Sequence, residues 1–340
     1  MSLAVAAEPL AWEPVAAFAD DAALLGGAWL EATPPALPPT LPVQALPMPR
    51  LGPADALPGE VWRAANPCRA GRAGPIAYRS DGRVLYGVLA VDEADFLPTA
   101  TASALQQATE AAYRRIFALL DREGLPHLWR VWNYLADING ETDGLERYRQ
   151  FNIGREDAFL AAGRLAAGHA PAACALGTAG GPLSIAFLAG RDPALLLENP
   201  RQVSAYRYPA DYGPRSPTFS RAALARLDGQ EWLFVSGTAS IVGHRTVHTG
   251  DAAGQTRESL ANIAAVLAEA NARTRARPNR LEDLAYRIYI RHAGDFDAVR
   301  QAFAAVAGRG AAAVFLQADV CRADLLVEIE AQAGRAPERS

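Results

Sequence analysis

Residues 232–242, WLFVSGTASIV, read as a strand: the run is rich in aromatic and branched apolar side chains and too short for a buried helix. Working outward, Thr256 or Arg257 opens a helix that keeps Leu260, Ile263, Val266 and Leu267 on one face. LAYRIYI (284–290) reads as a second strand, and a second helix carries Phe296, Val299, Phe303 and Val306. Two further strands, AAAVFLQAD (311–319) and LLVEIEA (325–331), close the series. The same order stands about 150 residues upstream. There RVLYGVLAV (83–91) is a strand, and Ser103 caps a helix running to about Arg122 with Gly124 near its end. LWRVWNYL (128–135) is the next strand, and a helix follows around Leu145, Tyr148 and Phe151. Strand, helix, strand, helix twice over predicts an internal duplication. The fold class is therefore α+β, or α/β-like, with helices packed on one face of mixed sheets.

Composition narrows the function. Half of the 340 residues are apolar and 21% are charged, with a net charge of −4. This is the balance of a globular chain large enough to bury a core without disulfides, and it supplies no basic face for nucleic acid or a membrane surface. All 33 basic residues are arginine. Schiff-base chemistry, cofactor attachment to lysine and a P-loop lysine are thereby excluded. Cys68, Cys174 and Cys321 are scattered and odd in number, which suits a reducing compartment. No secretory signal and no membrane-length apolar run are read, so a cytoplasmic location is expected. Residues 32–59 are crowded with proline and read as a polyproline-like strap over the surface, with an SH3-type ligand as the other reading.

The motif scan finds no GxGxxG after a strand and no Walker A, CxxC, HExxH or GxSxG pattern. GTAGGPLS (177–184) reads as a tight turn, with close approach to a ligand as its alternative. His244 and His248 sit in GHRTVHTG, an extended or loop context in which four residues span about 13 Å, too far for one metal ion. No metal and no cofactor are expected. ERYRQFN (146–152) and YRYPADYGPRSPTFSR (206–221) concentrate arginine and tyrosine, the residues that clamp carboxylates and wall a site. The second, with its prolines and glycine, reads as a rigid aromatic loop. Glu328 and Glu330 share one face of the last strand, opposite Leu325, Val327 and Ile329. Alternation alone places both glutamates in solvent. A glutamate that donates a proton near neutrality needs a desolvated site, which periodicity cannot show.

These residues also carry a resemblance. The C-terminal run, from LFVSGTASIVG to CRADLLVEIEA, resembles the YjgF/RidA fold, which implies ligand sites in clefts between neighbouring units. A narrower likeness covers most of residues 125–331. GLPHLWRVWNYLADIN (124–139), ERYRQFNIGREDAF (146–159), ENPRQVSAYRYPADYGPRSPTFSRA (198–222), FVSGTASIVGHRTVHTGD (234–251) and CRADLLVEIEA (321–331) together resemble the chorismatases. That family is similar to a fused pair of YjgF/RidA units.

The resemblance implies a small-molecule substrate, chorismate, whose enolpyruvyl methylene is protonated by the first glutamate of the VEIE motif, here Glu328. Pyruvate leaves, and the ring becomes 3-hydroxybenzoate, 4-hydroxybenzoate or both, with Cys321 and Ala239 at positions connected with that choice. By motif position, Arg149, Arg155, Tyr206, Arg207, Tyr212 and Arg215 are the candidates for substrate binding. Hydrolysis to a dihydroxycyclohexadiene carboxylate, a RidA-like imine or enamine hydrolase, and a non-catalytic ligand-binding module are the competing readings. The expected organisation is a proline-rich segment at 1–80 packing on the first unit, a first unit at 81–160 and a second at 161–340 carrying the glutamate. A monomer or a homotrimer is expected.

Overall fold

A computed structural model of the chain describes residues 21–30, 38, 40–52, 59–165, 170–209, 212–227 and 229–335. The strands are β1 (Leu24–Trp29), β2 (Val43–Ala45), β3 (Arg50–Leu51), β4 (Gly59–Arg63), β5 (Arg69–Ala73), β6 (Ile76–Ser80), β7 (Val84–Val91) and β8 (His127–Ala136). They continue with β9 (Ala172–Thr178), β10 (Leu183–Gly190), β11 (Leu195–Leu197), β12 (Ala222–Leu227), β13 (Gln230–Ala239), β14 (Ala285–Ile290), β15 (Ala312–Gln317) and β16 (Val327–Arg335). Four helices alternate with them: α1 (Ala104–Glu123), α2 (Arg147–Ala161), α3 (Ala252–Asn271) and α4 (Phe296–Ala307). Two-residue hairpins at 141–146 and 241–246 decorate the loops.

Two mixed sheets result, in the orders β9-β8-β10-β7-β6-β5 and β11-β12-β13-β16-β14-β15-β3. Within them β6-β7-α1-β8-α2-β9-β10 and β12-β13-α3-β14-α4-β15-β16 repeat one topology, in which the last strand inserts beside the second and the third pairs parallel with the fourth. The duplication is thus a property of the chain trace. Helices α1 and α2 cover the outer face of the first sheet, and α3 and α4 the outer face of the second. The two inner faces pack on each other through Trp132, Tyr134, Cys174, Phe234 and Tyr289, joined by Trp62 of β4. Trp62 stands 5.7 Å from Trp132 and 6.0 Å from Phe234, centroid to centroid, and each such aromatic pair adds about 1 kcal/mol beyond simple burial.

Local chemistry explains the helix ends. Ser103 accepts from the Gln106 amide at 3.1 Å, and Gly124 closes α1 at φ 66°. Helix α3 starts at Ala252, four or five residues before the expected Thr256 or Arg257, because Asp251 accepts from the Gly254 amide at 2.8 Å and so caps the helix. Thr256 lies inside the helix and donates back to the Ala252 carbonyl.

The expected division at 81–160 and 161–340 does not match the pairing. The first sheet takes β5 and β6 from upstream, and β9 and β10 from downstream as far as Gly190. AACALGT in β9 is built of small residues with little strand preference, and it is held by burial between both faces rather than by its own propensity. GTAGGPLS does form the β9–β10 turn, with Gly181 at φ 97°. The N-terminal region also differs from a segment packed on the first unit alone. Strands β1, β2 and β4 form a sheet of their own, and β3 pairs with β15 at the edge of the second sheet. The proline-rich strap falls partly on residues outside those described.

One serine fastens the two sheets. Ser236 Oγ accepts from the Ala173 amide at 2.9 Å and donates to the Ser220 carbonyl at 2.6 Å, fully buried. Ser236→Ala leaves both backbone groups unpaired and is expected to cost about 2 kcal/mol in urea denaturation. An unchanged midpoint would show that the bridge adds nothing.

Candidate active site

The inner face of β16 carries Glu328, Glu330 and Gln332, opposite the helix-covered Val327, Ile329 and Ala331. Alternation places the two glutamates in solvent, yet they are 4% and 3% exposed. The second sheet layer closes over them, and no periodicity within one strand reports a layer supplied by another part of the chain. Glu328 lies between Ala239 on β13 and Tyr289 on β14. Its carboxyl sits against Gly237 and the Cys174 side chain, with Cys321 Sγ 4.0 Å from Oε2. Burial pushes the carboxyl up to about 8, partly opposed by the guanidinium groups of Arg130 and Arg221. At neutral pH it is predominantly a neutral acid.

Gly237 occupies a break in strand register between Val235 and Thr238. A Cβ there would occupy the position of the Glu328 carboxylate, so the Ser-Gly pair both ties the sheets together and vacates the space the acid needs.

The carboxyl opens into a cleft of about 390 Å³, a size that suits a small metabolite. Four arginines, Arg149, Arg221, Arg245 and Arg322, line it with the aromatic rings of Tyr148, Tyr208, Tyr212 and Phe219. Arg221 donates from Nη2 to the Val203 carbonyl at 2.7 Å and to the Tyr208 hydroxyl at 2.9 Å, while its Nε is buried with no hydrogen-bond partner among the described residues. Arg322 lies flat over Tyr212, 4.0 Å from the ring centroid, and donates to the His244 carbonyl at 2.9 Å. Tyr212 in turn is hydrogen-bonded to His244 Nδ1 at 3.2 Å. Arg149, in the first turn of α2, pairs with Glu146 at 3.2 Å. Such a surround favours a ligand bearing carboxylates. Burial and the neighbouring Glu328 push the Cys321 thiol up to about 12, so it stays protonated and is a weak donor rather than a thiolate nucleophile.

Among the residues expected from sequence, Glu328, Cys321, Arg149, Tyr212 and Ala239 all line this cleft. Arg155, Tyr206, Arg207 and Arg215 do not. Arg155 is buried behind it among Tyr113, Phe151 and Phe159, because its position on α2 faces the helix-packed core. Tyr206 and Arg207 stack on each other in a single turn of 3-10 helix, with Tyr206 exposed. Arg215 turns outward to Glu156 and Asp157. Sequence reasoning missed Arg221, Arg245 and Arg322, although all three stand inside motifs quoted for other residues, and it missed Tyr208 beside them. Among the described residues no three His, Cys, Asp or Glu side chains gather as a metal site, and no helix is long and apolar enough to cross a membrane.

Fold and site define a class: a duplicated α+β protein with a protonated carboxyl at the seam of its two sheets and a cationic, aromatic cleft above it. A family model described as chorismatase FkbO/Hyg5-like, N-terminal, matches residues 60–189, and the endoribonuclease L-PSP model matches residues 218–334. A chorismatase of Streptomyces hygroscopicus is 40% identical over 276 residues, 80% of this chain and 78% of that protein. A 3-hydroxybenzoate synthase of the same organism is 39% identical over 282 residues, 80% of each chain. A crystal structure of a chorismatase superposes with a TM-score of 0.81 at 35% identity, covering 95% of this chain and 96% of that one. The chain belongs to the chorismatase family.

Proposed function

We propose that the protein cleaves chorismate to pyruvate and a hydroxybenzoate, the 3-isomer, the 4-isomer or both, with Glu328 as the carbon acid. The observation that carries this reading is a carboxyl that remains protonated near neutral pH at the floor of a four-arginine cleft. Chorismate offers two carboxylates to the arginines and an enol ether to the acid. Proton transfer from Glu328 to the terminal methylene makes a methyl group and leaves an oxocarbenium centre at the ether carbon. The ring C–O bond then breaks as that centre becomes the ketone of pyruvate. The break leaves a ring cation beside the hydroxyl-bearing carbon: loss of the proton on that carbon gives the 4-isomer directly, migration of the hydroxyl to the cationic carbon before the proton is lost gives the 3-isomer, and in either case the released proton restores Glu328. Pyruvate and hydroxybenzoate together have the composition of chorismate, so no oxidant, reductant or net water enters.

Arg221 and Arg322 are assigned to the carboxylates with Arg149, and Tyr208 and Tyr212 to the wall. Cys321 and Ala239 stand beside Glu328 and are assigned to the choice of isomer. The name of the 3-hydroxybenzoate synthase relative supports the hydroxybenzoate branch over hydrolysis.

The test is direct. Purified protein given chorismate is expected to release pyruvate, followed by coupling to lactate dehydrogenase, and chromatography identifies the ring product. Pyruvate at the uncatalysed background would end this reading, and a dihydroxycyclohexadiene carboxylate would move it to the hydrolytic branch. Arg221→Met is expected to raise KM about 10- to 100-fold, the loss of one charge-assisted contact. A KM at the wild-type value would remove Arg221 from substrate binding.

A further inference from the structure

Behind the proposed acid, on the same face of β16, stands a second carboxylate that the chemistry above does not use. Glu330 forms an ion pair with Arg130 of β8, in the facing sheet, and both are almost fully buried. Glu330 also accepts from the Tyr289 hydroxyl at 2.6 Å and lies 3.6 Å from Arg287, which also pairs with Glu60 and donates to the Tyr134 hydroxyl. It is therefore a well-supported anion. Glu328, the next side chain on that face and roughly 7 Å along the strand, has none of these contacts; Gly237 and the Cys174 and Cys321 side chains lie beside it.

Arg130 is the group that connects them. Its Nη2 is engaged by Glu330, its Nη1 is buried with no partner among the described residues, and its guanidinium lies 5.0 Å above the Trp132 ring. A buried guanidinium with a free nitrogen stabilises any carboxylate it can turn toward. If its charge were not already balanced, the nearest ionisable carboxyl would be Glu328, and that acid would lose its proton. The titratable and charged groups around Glu328 are Arg130 on β8, Cys174 on β9, Tyr148 on α2, Tyr289 on β14, Arg221 before β12 and Cys321 before β16. Of the two cations, Arg221 is held by the Val203 carbonyl and the Tyr208 hydroxyl and has Glu198 for a carboxylate neighbour, whereas Arg130 makes its ion pair with Glu330, on the strand of Glu328 itself.

We propose that Glu330 is a positioning residue that holds and neutralises the Arg130 guanidinium, so that Glu328 keeps the proton it must deliver to substrate. This rests on the reading of Glu328 as the acid. The VEIE pair is then a division of labour between two buried glutamates, in which one is ionised so that the other is not.

The test needs no substrate. In the unliganded protein, the infrared band of the protonated Glu328 carboxyl, identified by its loss in Glu328→Gln, is followed against pH. Glu330→Gln is expected to move its disappearance down by about one pH unit, and Arg130→Met to move it up. Arg130→Met/Glu330→Gln, which removes the buried pair together, is expected to lie above Glu330→Gln and close to Arg130→Met. A folded Glu330→Gln that titrates with the wild type overturns the proposal, as do two single variants that move in the same direction. Should Glu330→Gln not fold, Arg130→Met decides, and an unmoved or lowered titration overturns the proposal. Pyruvate release from chorismate is assayed in parallel. Opposed band shifts without any turnover leave the carboxyl arrangement standing and sink the chorismate reading. Turnover with unmoved bands does the reverse.

Discussion

Glu328→Gln is expected to lower pyruvate release from chorismate by a hundred- to ten-thousand-fold, the range associated with removing a general acid, and at the same time to make the protein more stable at alkaline pH. Both effects follow from one carboxyl. In the unfolded chain a glutamate titrates near 4.3; in the fold, burial raises Glu328 to about 8. Raising the folded value means that the group favours folding while it stays protonated. That contribution is complete below about pH 4.3 and is lost as pH rises through about 8. Above that point the native state carries a charge buried between two sheets. Glutamine keeps the shape and never ionises. The variant should therefore equal the wild type in stability near pH 4 and exceed it by on the order of 2–4 kcal/mol at pH 9. Activity follows the same titration: wild-type kcat/KM is expected to fall tenfold per pH unit above about 8. Thermal melts across that pH range, with lactate-dehydrogenase-coupled rates, check all three statements. Retained turnover in the variant would transfer the acid role to another group, and equal stability at pH 9 would show that the carboxyl is not desolvated.

Gly237→Ala is expected to lower kcat by roughly 10- to 100-fold with a smaller change in KM, and to destabilise the fold by about 1–3 kcal/mol. The added methyl would clash with Glu328 Oε1, and it would also come within 2.8 Å of the Glu328 carboxyl carbon and 3.1 Å of Cys174 Cβ. The carboxyl has to swing away from a pocket bounded by the facing sheet. Displaced toward the cleft it gains water, so the alkaline limb of the pH profile should move down toward the ordinary carboxylate range. Wild-type kcat with the limb still near 8 would mean that the backbone at the strand break absorbs the methyl and that Gly237 has no part in seating the acid.

Helix α1 was legible to its ends, since Ser103 and Gly124 are local cap signals that need nothing from the rest of the chain. The duplication was legible because a strand or amphipathic helix announces itself within a dozen residues and the order recurs. Strand β9 was not, because AACALGT carries no strand signal and is extended only where two layers bury it. For the site, residue type was a fair guide and residue direction was not. Arg149 and Arg155 stand on one helix, six positions apart, and only the packing of α2 on its sheet sends one to the cleft and the other into the core. Arg215 and Arg221 belong to one loop, and the loop's path turns the first to Glu156 and the second beneath Tyr208.

The sequence by itself determined the globular composition, the absence of lysine chemistry, the repeated strand–helix order and, through its long motifs, the family and Glu328 as the acid to consider. Only the tertiary structure decided that Glu328 is buried and keeps its proton near neutral pH. A strand with glutamate on one face and aliphatics on the other looks the same in sequence whether water or a second sheet lies above the glutamates. Desolvation is produced by residues such as Arg130, Trp132 and Cys174, brought in from more than 150 positions away. The proton on Glu328 is a property of that second layer.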